Sequence, residues 1–107
     1  MVSEILTAAG LPHRAGRFPD PPAGAFVVYF DEVETDGPDG INAIFRHGIM
    51  VEVYAPTQTA AAEAEAAIEA ELNARGLPWT KQACYWLKQI QRYQVVYEFD
   101  YTEKRRT

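Results

Sequence analysis

The side chains that could do chemistry in this sequence are few and scattered. They are two histidines, His13 and His47, one cysteine, Cys84, and two groups of carboxylates. A zinc site needs several His or Cys ligands at short spacing, and neither a His-x-His nor a His-x-x-x-His pair occurs. His13, between Pro12 and Arg14, reads as a surface residue. His47 falls on the apolar side of a strand-like run, where a packed or interface histidine is expected rather than a general base. A Cys84–His47 nucleophile pair would require a thiolate-stabilising setting. Cys84 instead alternates with Thr80, Gln82 and Trp86, so it reads as structural. The first carboxylate group, Glu32, Glu34, Asp36 and Asp39, surrounds a turn without the twelve-residue spacing of a helix–loop–helix calcium site. A solvated turn or a partner contact is expected there. The second, Glu63, Glu65, Glu69 and Glu71, repeats along a helix with few basic partners nearby in sequence and reads as an acidic, solvated face. There is no Gly-x-Gly-x-x-Gly, phosphate loop or Gly-x-Ser-x-Gly. No cofactor, metal or catalytic residue is therefore expected.

Composition narrows the class. With 107 residues the chain has the size of one domain, and a hydrophobic fraction of 48% argues against disorder. Its net charge is −5, whereas sequence-independent grip on duplex DNA needs a cationic surface. The short basic end Lys104-Arg105-Arg106 is expected to be a solvated tail. A single cysteine excludes an intramolecular disulfide and fits a reducing compartment. Neither a secretory leader nor a membrane span is expected.

The elements that must position these residues follow from periodicity. A short helix is expected over residues 2–9, with Ser3 as N-cap and Gly10 as its stop. An extended piece over residues 11–18 and a proline-rich loop over 19–24 come next. Residues 25–34 and 41–54 alternate as two strands around the Asp36–Gly40 turn, predicting a long antiparallel hairpin in which Gly48 marks a bulge or a close contact. Thr57 or Thr59 caps a helix to about Arg75, with Ala61, Ala64, Ile68 and Leu72 as its apolar stripe. Residues 79–87 and 90–101 give two further strands, followed by a polar tail over 102–107. In the last strand Tyr93, Val95, Tyr97, Phe99 and Tyr101 face one way and Gln94, Glu98 and Asp100 the other. The expected fold class is α+β: a mainly antiparallel four-stranded sheet, one long helix packed on one face, and a short N-terminal helix, in a single domain.

Tyrosine and tryptophan exceed what one small core readily hides, and both are favoured at interfaces. Tyr54, Trp86 and Tyr101 are the interface candidates among them.

The order of these phrases resembles a known family. The stretch LPHRAGRFPDPPAGAFVVYFDE, the Asp/Gly-rich turn, VEVYAPTQT running directly into a helix, and the closing YQVVYEFDY are similar to the small tail-completion, tail-terminator-like proteins of long-tailed phages and prophages. The resemblance implies a structural, non-catalytic protein of the virion head-tail junction, present in the host cytoplasm during assembly. It implies a homo-oligomeric ring, commonly hexameric, that caps the tail tube and meets a head-connector or stopper protein, with DNA passing through without specific binding and no membrane contact. The exposed helix glutamates or the acidic turn would then line the lumen or meet a neighbour. Two other readings stand beside it: a small ligand-binding or enzymatic domain using His47, and an adaptor that binds a peptide by strand addition.

Overall fold

The computed structural model describes residues 1–35 and 42–106. Eight elements follow in order: α1 (Val2–Ala8), β1 (His13–Ala15), β2 (Phe26–Thr35), β3 (Asn42–Ala55), α2 (Gln58–Ala74), β4 (Thr80–Lys81), β5 (Tyr85–Leu87) and β6 (Arg92–Arg106). They form an α+β fold with one six-stranded mixed sheet in the order β1-β2-β3-β6-β4, β5 also pairing with β6. The expected four strands are thus corrected to six; the sheet is mainly antiparallel, with β1 as its parallel strand.

The central hairpin forms as expected. β2 and β3 pair antiparallel without interruption from Phe26↔Tyr54 to Thr35↔Phe45. The register passes straight through Gly48, so there is no bulge there. A Cβ at Gly48 would meet only Asp100 Oδ1 at 3.6 Å and the Glu32 carbonyl at 3.9 Å, which is ordinary contact.

β1 is the parallel strand. It lies against Val27 to Tyr29, held by Val27 N–H to the Pro12 carbonyl (2.9 Å) and Gly16 N–H to the Tyr29 carbonyl (2.8 Å). Three residues with no alternation carry no strand signal of their own, and the proline-rich loop supplies the return that parallel pairing needs.

The third expected strand is split. Residues 82–84 on the outer strand span only residues 95 and 96 of β6, since Lys81 faces Tyr97 while Tyr85 faces Gln94. One extra residue flips the alternation. Lys81 and Trp86 therefore share a face, although the spacing placed them on opposite ones.

The expected polar tail is also overturned: Thr102 to Arg106 continue β6, paired with Asn42 to Arg46 of β3. Strand β3 reaches that far and offers backbone partners that outweigh the polar side chains.

Both helices close with Gly in the left-handed region. Gly10 (φ 76°) and Gly76 (φ 68°) each donate to the carbonyl three residues back, and Leu11 and Leu77 donate to Leu6 and Leu72. This pair of bonds satisfies the last carbonyls of each helix. At the start of α2, Thr57 Oγ1 accepts from Ala60 N–H at 3.0 Å, which settles the cap at Thr57 rather than Thr59. Ser3 does not cap α1, whose N-cap is Met1. Its hydroxyl meets His13 Nε2 at 3.1 Å instead.

The core lies between the helices and one sheet face. Ile5 and Leu6 of α1 and Ala64, Ile68 and Leu72 of α2 pack on Val27, Val51, Val53, Val95 and Tyr97. The small alanines let α2 approach closely. The helices cover only part of the sheet's length. The molecule extends 49 × 28 × 22 Å, and its radius of gyration of 15.3 Å exceeds the about 13 Å of a compact chain this size. Beyond the helices, β2, β3 and β6 run on as a three-stranded ribbon.

Candidate assembly surfaces

Alternation divides the sheet into two faces. One carries Ile49, Val51, Val53 and Ala55 toward the helices, and it also carries His47 at the base of the ribbon. The opposite, open face carries Phe30, Met50, Glu52, Tyr54, Glu98 and Asp100.

His47 is buried, as expected of a packed histidine, but it is not surrounded by apolar groups alone. Its Nδ1 lies 2.9 Å from Asp31 Oδ1 on β2, and its Nε2 lies 3.3 Å from Glu103 Oε1 on β6. Its ring stacks on Tyr101 at 4.2 Å and 7°. Each ring nitrogen thus has a carboxylate within hydrogen-bond reach, one on each flanking strand. The cluster ties the three ribbon strands together. Tyr101, expected as an interface aromatic, is half-buried in this cluster.

The helix glutamates divide. Glu63 is exposed on α2. Glu65 and Glu69 are not solvated without cations, as the sequence suggested: Lys81 Nζ lies 3.2 Å from Glu65 and 2.8 Å from Glu69. Glu71 pairs loosely with Arg75 at 3.7 Å within the helix. The fully buried Tyr97 donates its hydroxyl to Glu69 at 2.6 Å. Burial opposes ionisation of Glu69, but the hydrogen bonds from Lys81 and Tyr97 outweigh it and hold the carboxyl below the usual range. Burial, and then the same bond, push the Tyr97 phenol well above its usual value. Lys81, bonded to Glu69, is held above the ordinary lysine value against the opposing effect of burial.

A depressed carboxyl contributes stability above its unfolded pKa and loses it as pH falls through the folded value. Tyr97→Phe is therefore expected to cost about 1.5 kcal/mol at neutral pH, the size of a hydrogen bond to a charged group. That difference should shrink below the ordinary carboxylate range as Glu69 protonates. Urea unfolding of both proteins at neutral pH and at pH about 3.5 checks it; a difference independent of pH would mean that the bond to ionised Glu69 is not its source.

The remaining sequence candidates are dispersed. Glu32 and Glu34 lie exposed on the open face, away from α2, so the two acidic groups do not form one surface. Asp36 and Asp39 lie outside the described residues, as does the turn they belong to. Tyr54 stacks on Phe26 at 5.2 Å, donates to Glu52 at 3.0 Å and accepts from Gln94 at 3.0 Å. Burial raises its phenol, the Gln94 bond opposes this, and Glu52 adds to it. Trp86 is exposed and packs edge-on against Tyr93. Cys84 is exposed. The cover it has and the charge of Glu65 push its thiol up, with Lys81 opposing, which is the reverse of nucleophile activation. His13 is half-buried: its Nδ1 lies 2.8 Å from the Leu11 carbonyl. Among the described residues there is no cluster of three His, Cys, Asp or Glu side chains able to hold a metal, and no helix is long and apolar enough to cross a membrane.

The open face carries no motif of its own in the sequence. Phe30, Met50, Glu32, Glu52, Glu98 and Asp100 line a shallow groove of about 590 Å³. The signal was present in the alternation, but it required the register to bring three strands side by side.

No family model matches this chain, and no curated protein matches it. Among solved structures, a chain of the virion of a native gene transfer agent particle aligns with a TM-score of 0.65 over 94% of this chain and 84% of that one, at 18% identity. The two chains share one fold. The alignment spans nearly all of the sequence, which agrees with the pattern-level reading of an α+β sheet-and-helix unit.

Proposed function

We propose that this protein is a structural component of a phage or phage-like virion, and within it a ring-forming tail-completion protein of the head-tail junction, without catalytic activity. The observation that carries the reading is the whole-chain likeness to a component of a gene transfer agent virion. It is supported by the order of sequence phrases that resembles the tail-terminator family. The acidic balance of the chain favours passage of DNA over retention. The partners in this reading are further copies of the chain, a tail-tube protein and a head-connector or stopper protein.

Size-exclusion chromatography with light scattering over a concentration series tests the reading. A discrete closed oligomer, six chains in the simplest case, is the expected result. A monomer at every concentration would count against a self-assembling ring.

One observation favours strand addition as the way neighbours attach. Among the described residues β1 covers β2 only as far as Tyr29, and β4 covers β6 only at Tyr97 and Glu98, leaving the outer edges of the ribbon open.

A further inference from the structure

We infer that the turn between β5 and β6 is a cationic, aromatic knob that docks into the open-face groove of a second copy of this chain. The inference rests on the ring reading above and deepens it by assigning the two surfaces that meet.

The knob is the end of the sheet where β5 turns into β6. Tyr85, Trp86 and Ile90 stand 47%, 45% and 48% exposed there. Residues 82–92 contain Lys88 and Arg92 and no carboxylate. Neither cation has a carboxylate partner among the described residues; Arg92 spends its Nη1 on the neighbouring Gln91 carbonyl at 3.0 Å.

The groove has the complementary character. Its floor offers Phe30 and Met50, 39% and 37% exposed. Its rim carries Glu32, Glu52, Glu98 and Asp100. Tyr54 donates to Glu52, but Glu32, Glu98 and Asp100 have no cation partner among the described residues. A chain of net charge −5 repels its own copies on average. An end that carries cations and no acids is thus steered toward the carboxylates of the groove, and exposed apolar groups stand on both patches.

The knob cannot fill its own groove. Both are fixed parts of one sheet: Glu52 at the near end of the groove is opposite Val96, three residues or roughly 10 Å along β6 from Tyr93, and Asp100 at its far end is seven residues or roughly 24 Å away. The contact must join different molecules, and because its halves are different patches it is heterologous, the kind that closes into rings.

Two single variants test this, Ile90→Glu in the knob and Glu98→Lys in the groove. Each should weaken assembly about tenfold or more, seen by light scattering as loss of the oligomer at concentrations where the natural protein is assembled. Mixed in equal amounts they should form dimers and stop there, because each pair retains one intact knob and one intact groove. Recovery in the mixture also demonstrates that both variants are folded. A natural protein that assembles while either variant assembles equally well, or a mixture that stays monomeric, would overturn the knob-and-groove contact and leave the ring reading standing. A natural protein that never assembles would overturn both.

Discussion

Leu72→Ala should remove about 3 kcal/mol of stability, the midrange cost of emptying a buried leucine site. For a domain of this size that corresponds to a fall in melting temperature of roughly 15 °C. The size of the effect follows from where Leu72 sits. It is fully buried at the C-terminal end of the α2 stripe, among the side chains that join the helix to β3 and β6. Nearer the start of that stripe stand alanines, Ala61 and Ala64, which bring the helix close but bury little area themselves. Ile68 and Leu72 therefore carry most of the apolar contact of α2. The same residue's carbonyl accepts the Leu77 N–H at 3.0 Å in the closing turn, so movement into the vacated space also disturbs the helix end. Small α+β domains hold only about 5–15 kcal/mol in all. Urea unfolding at 25 °C should show the midpoint falling by about 1.5 M with the slope unchanged. A loss below 1 kcal/mol would mean that the helix is not docked on the sheet through this residue.

The parts of the fold that were legible in the sequence are those whose period is sustained. β2, β3, α2 and the first ten residues of β6 carry a strand-like run or a three-four step over their whole length, and the structure places them within one or two residues of their expected bounds. What was not legible depends on partners distant in sequence. His13–Ala15 becomes a strand only because Val27–Tyr29 presents an edge. Residues 102–106 become a strand because β3 runs past them, despite Thr102, Glu103 and Lys104. The single extra residue between β4 and β5 leaves no mark in local composition, yet it decides on which face Trp86 stands. The candidate surfaces follow the same rule. His47 was readable as packed, but its bonds to Asp31 and Glu103 are diagonal contacts across three strands, 16 and 56 residues away in sequence. Lys81 was invisible as the partner of Glu65 and Glu69 for the same reason. The open-face groove is the product of register: Glu32, Gly48 and Asp100 become neighbours only when β2, β3 and β6 lie in line.

His47→Ala is expected to loosen the ribbon more than the body of the domain. The ribbon lies beyond the helices, so it lacks the second layer that stabilises the rest of the sheet. At its base, the His47 ring lies between Asp31 and Glu103 and stacks on Tyr101. Removing the imidazole deletes a buried ring and leaves two carboxylates facing each other across β3 without the ring between them. A fully buried pair broken in this way would cost more, but Asp31 and Glu103 keep side-chain exposures of 33% and 39%, so water screens much of the repulsion. About 2 kcal/mol of local stability should be lost, which corresponds to amide exchange about thirtyfold faster in residues 44–48 and 101–103. Amides of Val51, Val53 and Val95, beneath α2, should slow or speed little relative to these. Equal acceleration in both regions would show that the cluster supports the whole domain rather than the ribbon. No acceleration in either would show that the strands hold without it. The distinction bears on assembly, because Glu32, Gly48 and Asp100, one residue from Asp31, His47 and Tyr101, form one end of the groove. A ribbon that opens at its base displaces those carboxylates, and a surface that must meet a rigid knob loses its fit before the core unfolds.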